Sequence, residues 1–275
     1  MATDAFGRLR TSEPFTTFNY YPTPAYNDTS DNDVWVKTTN NGADVQYDAS
    51  NNLILLNTGT SDEADTFVTR TTKAPMDYQP GKSRLIMMSG VMMSPVPATG
   101  TQVTSQMGLF NLSTSSQIED GIWFEADGSS NEIRWCQRKQ NGSGGFTETK
   151  VAKSSWNIDK FTGTGPSGKQ LEFSNMDKNI LIIIDQEWLG VGRVRCGFNI
   201  GGVTYYAHEF THGDISVAYT GSPRQRLGYK ITSNQTTSPT NYTMKQICST
   251  CISEGGFFPL GTKNSVSTRL YRQRN

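Results

Sequence analysis

The residues best suited for chemistry are the only two histidines, His208 and His212, which enclose Glu209 in "HEFTH", a match to H-E-x-x-H. On a helix, positions i and i+4 lie one turn apart, so both imidazoles would bind one Zn²⁺ while the glutamate activates water. The preceding "GRVRCGFNIGGVTYYA" has a glycine pair between β-branched and aromatic residues, which is typical of two strands joined by a tight turn. On a strand, positions 208 and 212 are about 13 Å apart, too far for one zinc ion. We therefore expect a hairpin here and no metal site.

The register of this hairpin follows from its loop. With the glycine pair 201–202 as a two-residue loop, His208 lies opposite Arg195 on the polar face. The same register places Glu209 opposite Val194 on the apolar face, which is unfavourable for a carboxylate. We therefore expect the strand to end or to form a bulge near this point.

A second candidate is the acidic pair Glu125 and Asp127 in "GIWFEADGSSNE". Two residues apart on a strand, both carboxylates project from one face, as in part of the acidic cluster of sandwich-fold glycosidases. The next carboxylate, Glu132, follows the turn-forming residues 128–131, so it would lie on the neighbouring strand. A solvated hairpin end explains the same residues. Both interpretations stay open from the sequence, although the hairpin end is favoured.

The four cysteines are few and scattered. They are Cys136, Cys196, Cys248 and Cys251. "CSTC" matches C-x-x-C, but the helix start of a redox motif and the second cysteine pair of a zinc knuckle are both missing. We expect the thiols to act as small, buried or half-buried apolar groups.

Composition narrows the class of protein. The 275 residues contain 25 Lys plus Arg and 25 Asp plus Glu, so the formal charge is zero, and neither nucleic acid nor an anionic membrane is indicated as a partner. The sequence contains no apolar run of about 20 residues, and "MATDAFGRLR" lacks the apolar core of a signal peptide. We expect a soluble protein made without classical export.

Short strand-like runs separated by turn residues predict an all-β fold, an antiparallel β-sandwich of the jelly-roll or concanavalin-like kind. "ILIII", residues 180–184, is apolar at every position, which predicts a central strand covered on both faces. We expect an N-terminal docking arm over residues 1–30, the sandwich over 31–256 and a short C-terminal tail over 257–275.

The expected arm is rich in large apolar side chains but is interrupted by prolines, so it has no periodicity with which to form a core of its own. It must pack on its own domain or on a neighbouring subunit, and large exposed apolar patches usually mark contact sites. The candidate assembly contacts are Phe6, Leu9, Phe15, Phe18, Tyr20 and Tyr21.

Several long strings carry a family resemblance: "DAFGRLRTSEPF", "YQPGKSRLIMM", "WNIDKFTGTGPSGKQL", "EWLGVGRVRCGF" and "KQICSTCISEGG". In these the chain resembles a family of virion structural proteins encoded by large tailed bacteriophages, marine ones among them. The resemblance implies a non-enzymatic component of the capsid or tail, whose partners are other virion proteins and copies of itself. It implies no cofactor and no catalytic residues, and it places the protein in the virion after synthesis in the host cytoplasm.

Two other classes of function are alternatives to a structural role in the virion. One is a receptor- or glycan-binding head of a phage fibre or spike, in which Trp123 or Trp156 would stack on sugar rings. The other is an enzyme, for which the sequence offers only the two motifs discussed above. We therefore expect a non-enzymatic virion component, with host-surface glycan binding as the alternative.

Overall fold

The computed structural model describes residues 13–24, 34–142 and 144–256. These residues form fifteen strands and two short 3₁₀ turns, and they contain no helix long and apolar enough to cross a bilayer. The strands are β1 Phe15–Tyr20, β2 Trp35–Thr39, β3 Asp44–Asp48, β4 Leu53–Asn57, β5 Thr66–Thr72, β6 Arg84–Ser94, β7 Val103–Leu112, β8 Ile118–Asp127, β9 Glu132–Gln140, β10 Phe146–Ala152, β11 Asn179–Gln186, β12 Val194–Ile200, β13 Val203–Phe210, β14 Arg226–Ser233 and β15 Thr243–Ser253. The 3₁₀ turns are Lys153–Ser155 and Phe173–Asn175.

The strands form two antiparallel sheets. The first sheet has the order β13-β12-β11-β6-β15-β4-β3, with β1 also paired to β15. The second has the order β10-β9-β8-β7-β14-β5-β2. The two sheets pack face to face around one large apolar core, which confirms the predicted all-β antiparallel sandwich.

Alternation along each strand builds this core. On β8, Ile122 and Phe124 point between the sheets and are fully buried. At one end of the core an aromatic group surrounds Phe198, whose ring centroid is 5.2 Å from that of Phe124 and 5.9 Å from that of Trp156. Aromatic contacts of this kind stabilise a core beyond the area that they bury.

The "ILIII" segment lies on β11, which pairs with β6 on one side and β12 on the other. Ile182 and Ile184 are buried in the core between the sheets. Ile183 points to the opposite face and is still only 2% exposed. The prediction of a central strand covered on both faces is therefore confirmed.

The β12–β13 hairpin has the predicted loop but a shifted register. Beyond the first pairs, a bulge lies between Cys196 and Gly197, so that His208 pairs with Cys196 instead of Arg195. Arg195 pairs with Glu209, which moves the carboxylate to the polar face beside a cation, at 4.0 Å from its guanidinium. The predicted positions of His208 and Glu209 were therefore wrong by one residue. The bulge removes the unfavourable placement of the carboxylate.

The expected N-terminal arm contains a strand of the sandwich. Strand β1 pairs with residues 249–253 of β15, and Tyr20 is buried against Trp35 with ring centroids 5.2 Å apart. Phe18 packs on the same core, whereas Phe15 and Tyr21 are largely exposed. Residues 15–20 thus pack on their own domain. Two further candidate contacts, Phe6 and Leu9, lie outside the described residues.

Candidate functional site

The two histidines of "HEFTH" are packing residues. His212 stacks on Tyr219 with ring centroids 3.9 Å apart, its Nδ1 lies 2.5 Å from the Gly192 carbonyl oxygen, and its Nε2 lies 2.9 Å from Gln137 Oε1. Burial lowers the pKa of His212, and the contact with Gly192 partly offsets this effect. Both ring nitrogens therefore have protein partners.

His208 lies at the end of β13, edge-on to Phe210 with ring centroids 4.5 Å apart. Burial lowers its pKa to about 4, so the ring is neutral at physiological pH. Within the described ranges no group of three His, Cys, Asp or Glu side chains is arranged to hold a metal ion. His208, Glu209 and Phe210 lie on strand β13, and His212 follows it, so the motif does not lie on the helix that a zinc protease needs.

The acidic pair lies on the outer face of the second sheet, the face turned away from the first sheet. Glu125 is 1% exposed and is held by four side chains. Lys150 Nζ lies 3.0 and 3.2 Å from its two oxygens, Gln106 and Trp123 donate hydrogen bonds of 2.9 and 3.2 Å, and Arg134 donates one of 3.3 Å. Burial alone would raise the pKa of Glu125. The attraction of Lys150 and the hydrogen bonds outweigh burial, so the pKa lies below its usual value.

Asp127 is fixed by the turn that follows it. Ser129 donates through its amide and its hydroxyl at 2.9 and 2.6 Å, Ser130 donates at 2.9 Å, and Arg134 lies 2.8 Å away. Burial would raise the pKa of Asp127, but these hydrogen bonds and Arg134 lower it overall. Glycoside hydrolysis by two carboxyls needs one that keeps its proton near neutral pH, and neither Glu125 nor Asp127 meets that condition. The pair supports a hairpin end, as the sequence favoured.

The two tryptophans considered for stacking on sugar rings are buried. Trp123 is fully buried on the outer face, where Gly108 leaves room for it. Gly228 leaves room for Phe110, which meets Trp123 edge-on at 6.5 Å. Trp156 is 2% exposed in the core. Neither ring is therefore exposed to stack on a sugar, as the alternative of a glycan-binding head would require of it.

The cysteines largely follow expectation. The described residues contain no disulfide, and the free thiols of Cys136, Cys196 and Cys251 are buried, so desolvation raises their pKa. Cys248 is exposed. Because both residues of "CSTC" lie on β15, three positions apart, they point to opposite faces.

A cavity of ≈ 470 Å³ lies beside the β8–β9 hairpin, where the chain crosses from the second sheet to the first. We call it the hairpin cavity. Its apolar floor is formed by Ile133 and Phe173, which are 2% and 5% exposed, together with Ala152. Polar groups form its rim: Asn131, Glu132, Lys153, Ser154, Lys160, Thr162 and Glu172. A cavity of this size with an apolar floor and a few polar groups is typical of small-molecule sites.

Local structure fixes the rim. Lys153 and Glu172 form an ion pair at 2.5 Å, and a capping box joins Glu172 to Asn175 across the 3₁₀ turn that carries Phe173. Asp159 accepts backbone hydrogen bonds of 2.8 Å from Phe161 and 2.7 Å from Ser167, which holds the loop that carries two rim residues. The cavity walls therefore do not depend on a ligand for their shape.

Two charged rim residues differ in their surroundings. Lys160 is exposed and has no ion-pair partner among the described residues. Glu132 accepts bonds of 2.7 and 3.1 Å from Arg134, the same guanidinium that contacts Asp127 and Glu125. The acidic cluster thus supports one wall of the cavity, and Lys160 contributes an exposed ammonium group to its rim.

The sequence did not point to this cavity. "FTGTGPSGKQ" was expected to be a loop on its composition, and it supplies Thr162 to the rim. The cavity forms because this loop and the following 3₁₀ turn pack on β9 and β10. The spacing of residues along the chain does not determine that packing.

Comparisons with known proteins identify solved structures that have a similar fold. No protein-family model matches the chain, and no curated protein matches it in sequence. Among solved structures, an endo-1,3-β-glucanase from Streptomyces sioyaensis superimposes with a TM-score of 0.54 at 11% identity, over 90% of this chain and 99% of that one. An endo-β-1,4-glucuronan lyase from Trichoderma reesei gives 0.51 at 9% identity, over 86% and 95%. A protein of unknown function from Shewanella oneidensis gives 0.50 at 9%, over 92% of each.

These similarities define the class as a β-sandwich that enzymes also adopt. At such low identity they establish the fold alone and transfer no residue roles. They correct one expectation from the sequence, that the protein is not an enzyme, because the glucanase and the lyase share this architecture over nearly their whole length.

Proposed function

We propose that the protein is a carbohydrate-binding component of a bacteriophage particle and that the hairpin cavity is its binding site. The resemblance of several long sequence strings to virion structural proteins supports a role in the particle, and the hairpin cavity supports carbohydrate binding. Its partners are then other virion proteins, copies of itself and a glycan on the host surface.

The composition of the hairpin cavity is the observation that carries this proposal. Sugars have apolar C–H faces and a dense set of hydroxyls, so they bind where an apolar floor adjoins charged and amide groups. Ile133 and Phe173 supply the floor. Glu172 and Asn131 can accept hydrogen bonds from hydroxyls, and Lys160 can donate to a hydroxyl or a sugar carboxylate. The volume of ≈ 470 Å³ is large enough for one or two sugar units.

A glycan array tests the proposal with the full-length protein and a variant that fills the cavity. Ser154→Trp places a bulky ring at the rim, whereas Ser155→Trp is a matched control at an exposed neighbour that does not line the cavity. We expect wild type and Ser155→Trp to bind the same oligosaccharides and Ser154→Trp to lose them. Equal binding by all three proteins would exclude this cavity as the site.

Cleavage of a bound polysaccharide is the second candidate. It is favoured by the presence of two carboxylates, Glu132 and Glu172, on the rim of one cavity, since a pair of such groups can serve as acid and base. Arg134 binds Glu132 and Lys153 binds Glu172, so one of these ion pairs must open before its carboxylate can take up a proton as the acid. The test is incubation with 1,3-β-glucan and with glucuronan, followed by measurement of chain length. Shortening that Glu172→Gln abolishes would establish cleavage, and unchanged polymers would leave binding as the function.

A further inference from the structure

One end of the sandwich carries an exposed apolar patch, which we call the end patch. It comprises Leu189, Val191, Ile215 and Val217, which are 38–59% exposed. Two loops present these side chains, 187–193 between β11 and β12 and 211–220 after β13. The loops are joined by a 3.0 Å hydrogen bond from the Tyr219 amide to the Gly190 carbonyl oxygen. Grouped apolar side chains of this kind usually mark a contact surface.

The backbone at the patch is ordered by specific contacts. Leu189 has φ of 36°, a left-handed conformation uncommon for a branched side chain. Its amide donates a 3.0 Å hydrogen bond to the Tyr78 hydroxyl oxygen. The ring of Tyr78 in turn packs edge-on against Trp188 at 5.6 Å. The loop is therefore held in a conformation that turns Leu189 outward.

The described chain ends beside this patch. Strand β15 ends at the same end of the first sheet as the start of β6, where Ser253 pairs with Arg84, and Arg84 pairs with Gln186 at the end of β11. Only β6 separates β15 from β11, so the two strands are about 10 Å apart. The backbone at Gly255 adjoins Lys82, in the same connection that carries Tyr78.

The residues that follow Gly256 are "FFPL", 257–260. We infer that Phe257, Phe258 and Leu260 bind the end patch of their own chain. Four extended residues span about 13 Å, which is enough to cross the distance of about 10 Å from β15 to β11. A segment tethered this closely has a high effective concentration at the patch, so it outcompetes the same segment of a second copy. This inference does not depend on the proposed carbohydrate site.

Hydrogen exchange of the full-length protein tests the docking. Replacing the three tail residues together, Phe257→Ser, Phe258→Ser and Leu260→Ser, leaves every described residue unchanged. We expect exchange at the Gly192 and Tyr219 amides, which are bonded to Trp188 and Gly190, to become severalfold faster. The control is Val203→Ser at the opposite end of the sandwich, where a side chain 51% exposed is removed without effect on these amides.

A patch-side variant gives the reciprocal test. Val191→Ser with Val217→Ser should speed exchange within residues 257–260, and adding it to the tail variant should produce little further change at Tyr219. Unchanged exchange in both variants would overturn the inference. The inference would also be overturned if exchange at the end patch of the wild-type protein became faster on dilution. The bound segment would then belong to a second copy of the chain.

Discussion

Lys150 Nζ lies 3.0 and 3.2 Å from the two carboxylate oxygens of Glu125, although strand β9 separates the strands that carry them. The carboxylate is 1% exposed, so it has lost its contacts with water. Its ion pairs and hydrogen bonds must compensate for that loss. This ion pair connects the outermost strand, β10, to the centre of the second sheet.

Replacing this cation should destabilise the fold. Lys150→Met leaves Glu125 with Arg134 and two neutral donors. Because Lys150 is itself partly exposed, we expect the free energy of unfolding to fall by about 1–3 kcal/mol at pH 7. Urea denaturation measures this change. The control is Lys178→Met, whose exposed pair with Asp177 should contribute less than about 0.5 kcal/mol. Equal effects of the two substitutions would show that the buried pair has no special role.

The decrease in the free energy of unfolding below pH 6.5 should depend on His208. Its folded pKa of about 4 lies below the ordinary value of 6.5, so the unfolded chain takes up a proton first as the pH falls. The stabilisation is complete above pH 6.5 and is lost between pH 6.5 and 4, by at most about 3 kcal/mol. In His208→Leu the free energy of unfolding should therefore change less over this range. A parallel profile for wild type and variant would contradict the assignment.

Gly108 should not tolerate a side chain. A Cβ atom there would lie 2.5 Å from the Ile122 carbonyl oxygen and 2.8 Å from Trp123 Cβ. Gly108→Ala should lower the free energy of unfolding by about 1–3 kcal/mol, since overpacking forces the central strands apart. Gly145→Ala is the control, because a Cβ there meets nothing within 4 Å. A melting temperature equal to that of wild type in Gly108→Ala would mean that the sheet adjusts freely.

Strand β1 should be required for stability. Tyr20 packs on Trp35, and its hydroxyl accepts a 3.2 Å hydrogen bond from the buried Arg70. Tyr20→Ala should destabilise the fold by about 3–5 kcal/mol, as for other large aromatic truncations in cores. Tyr20→Phe should lose only the hydrogen bond, about 1 kcal/mol. If Tyr20→Ala left stability unchanged and impaired only self-association, the residue would be an assembly contact as first expected.

The sequence allowed much of the architecture to be predicted, and particular residues show why. Residues 180–184 are apolar throughout because β11 is covered on both faces, and the glycine pair 201–202 forms the expected hairpin loop. The bulge beside Cys196 was anticipated only in outline, since the position of an extra residue depends on partners across the sheet.

Less of the candidate site than of the fold could be predicted from the sequence. Trp123 is buried in a cluster with Phe110, Ile118 and Cys136, which three strands bring together. Lys160, Glu172 and Ile133 likewise meet only in three dimensions. Neither periodicity nor motif spacing reports such long-range packing.

The most direct test of the carbohydrate proposal is the location of a bound glycan. Hydrogen exchange of the full-length protein should be measured with and without the best oligosaccharide from the array. We predict slower exchange at residues 131–133, 152–154, 160–162 and 172–173, which surround the hairpin cavity, and no change in Ser154→Trp. Protection confined to any other surface, or binding that Ser154→Trp retains, would contradict it.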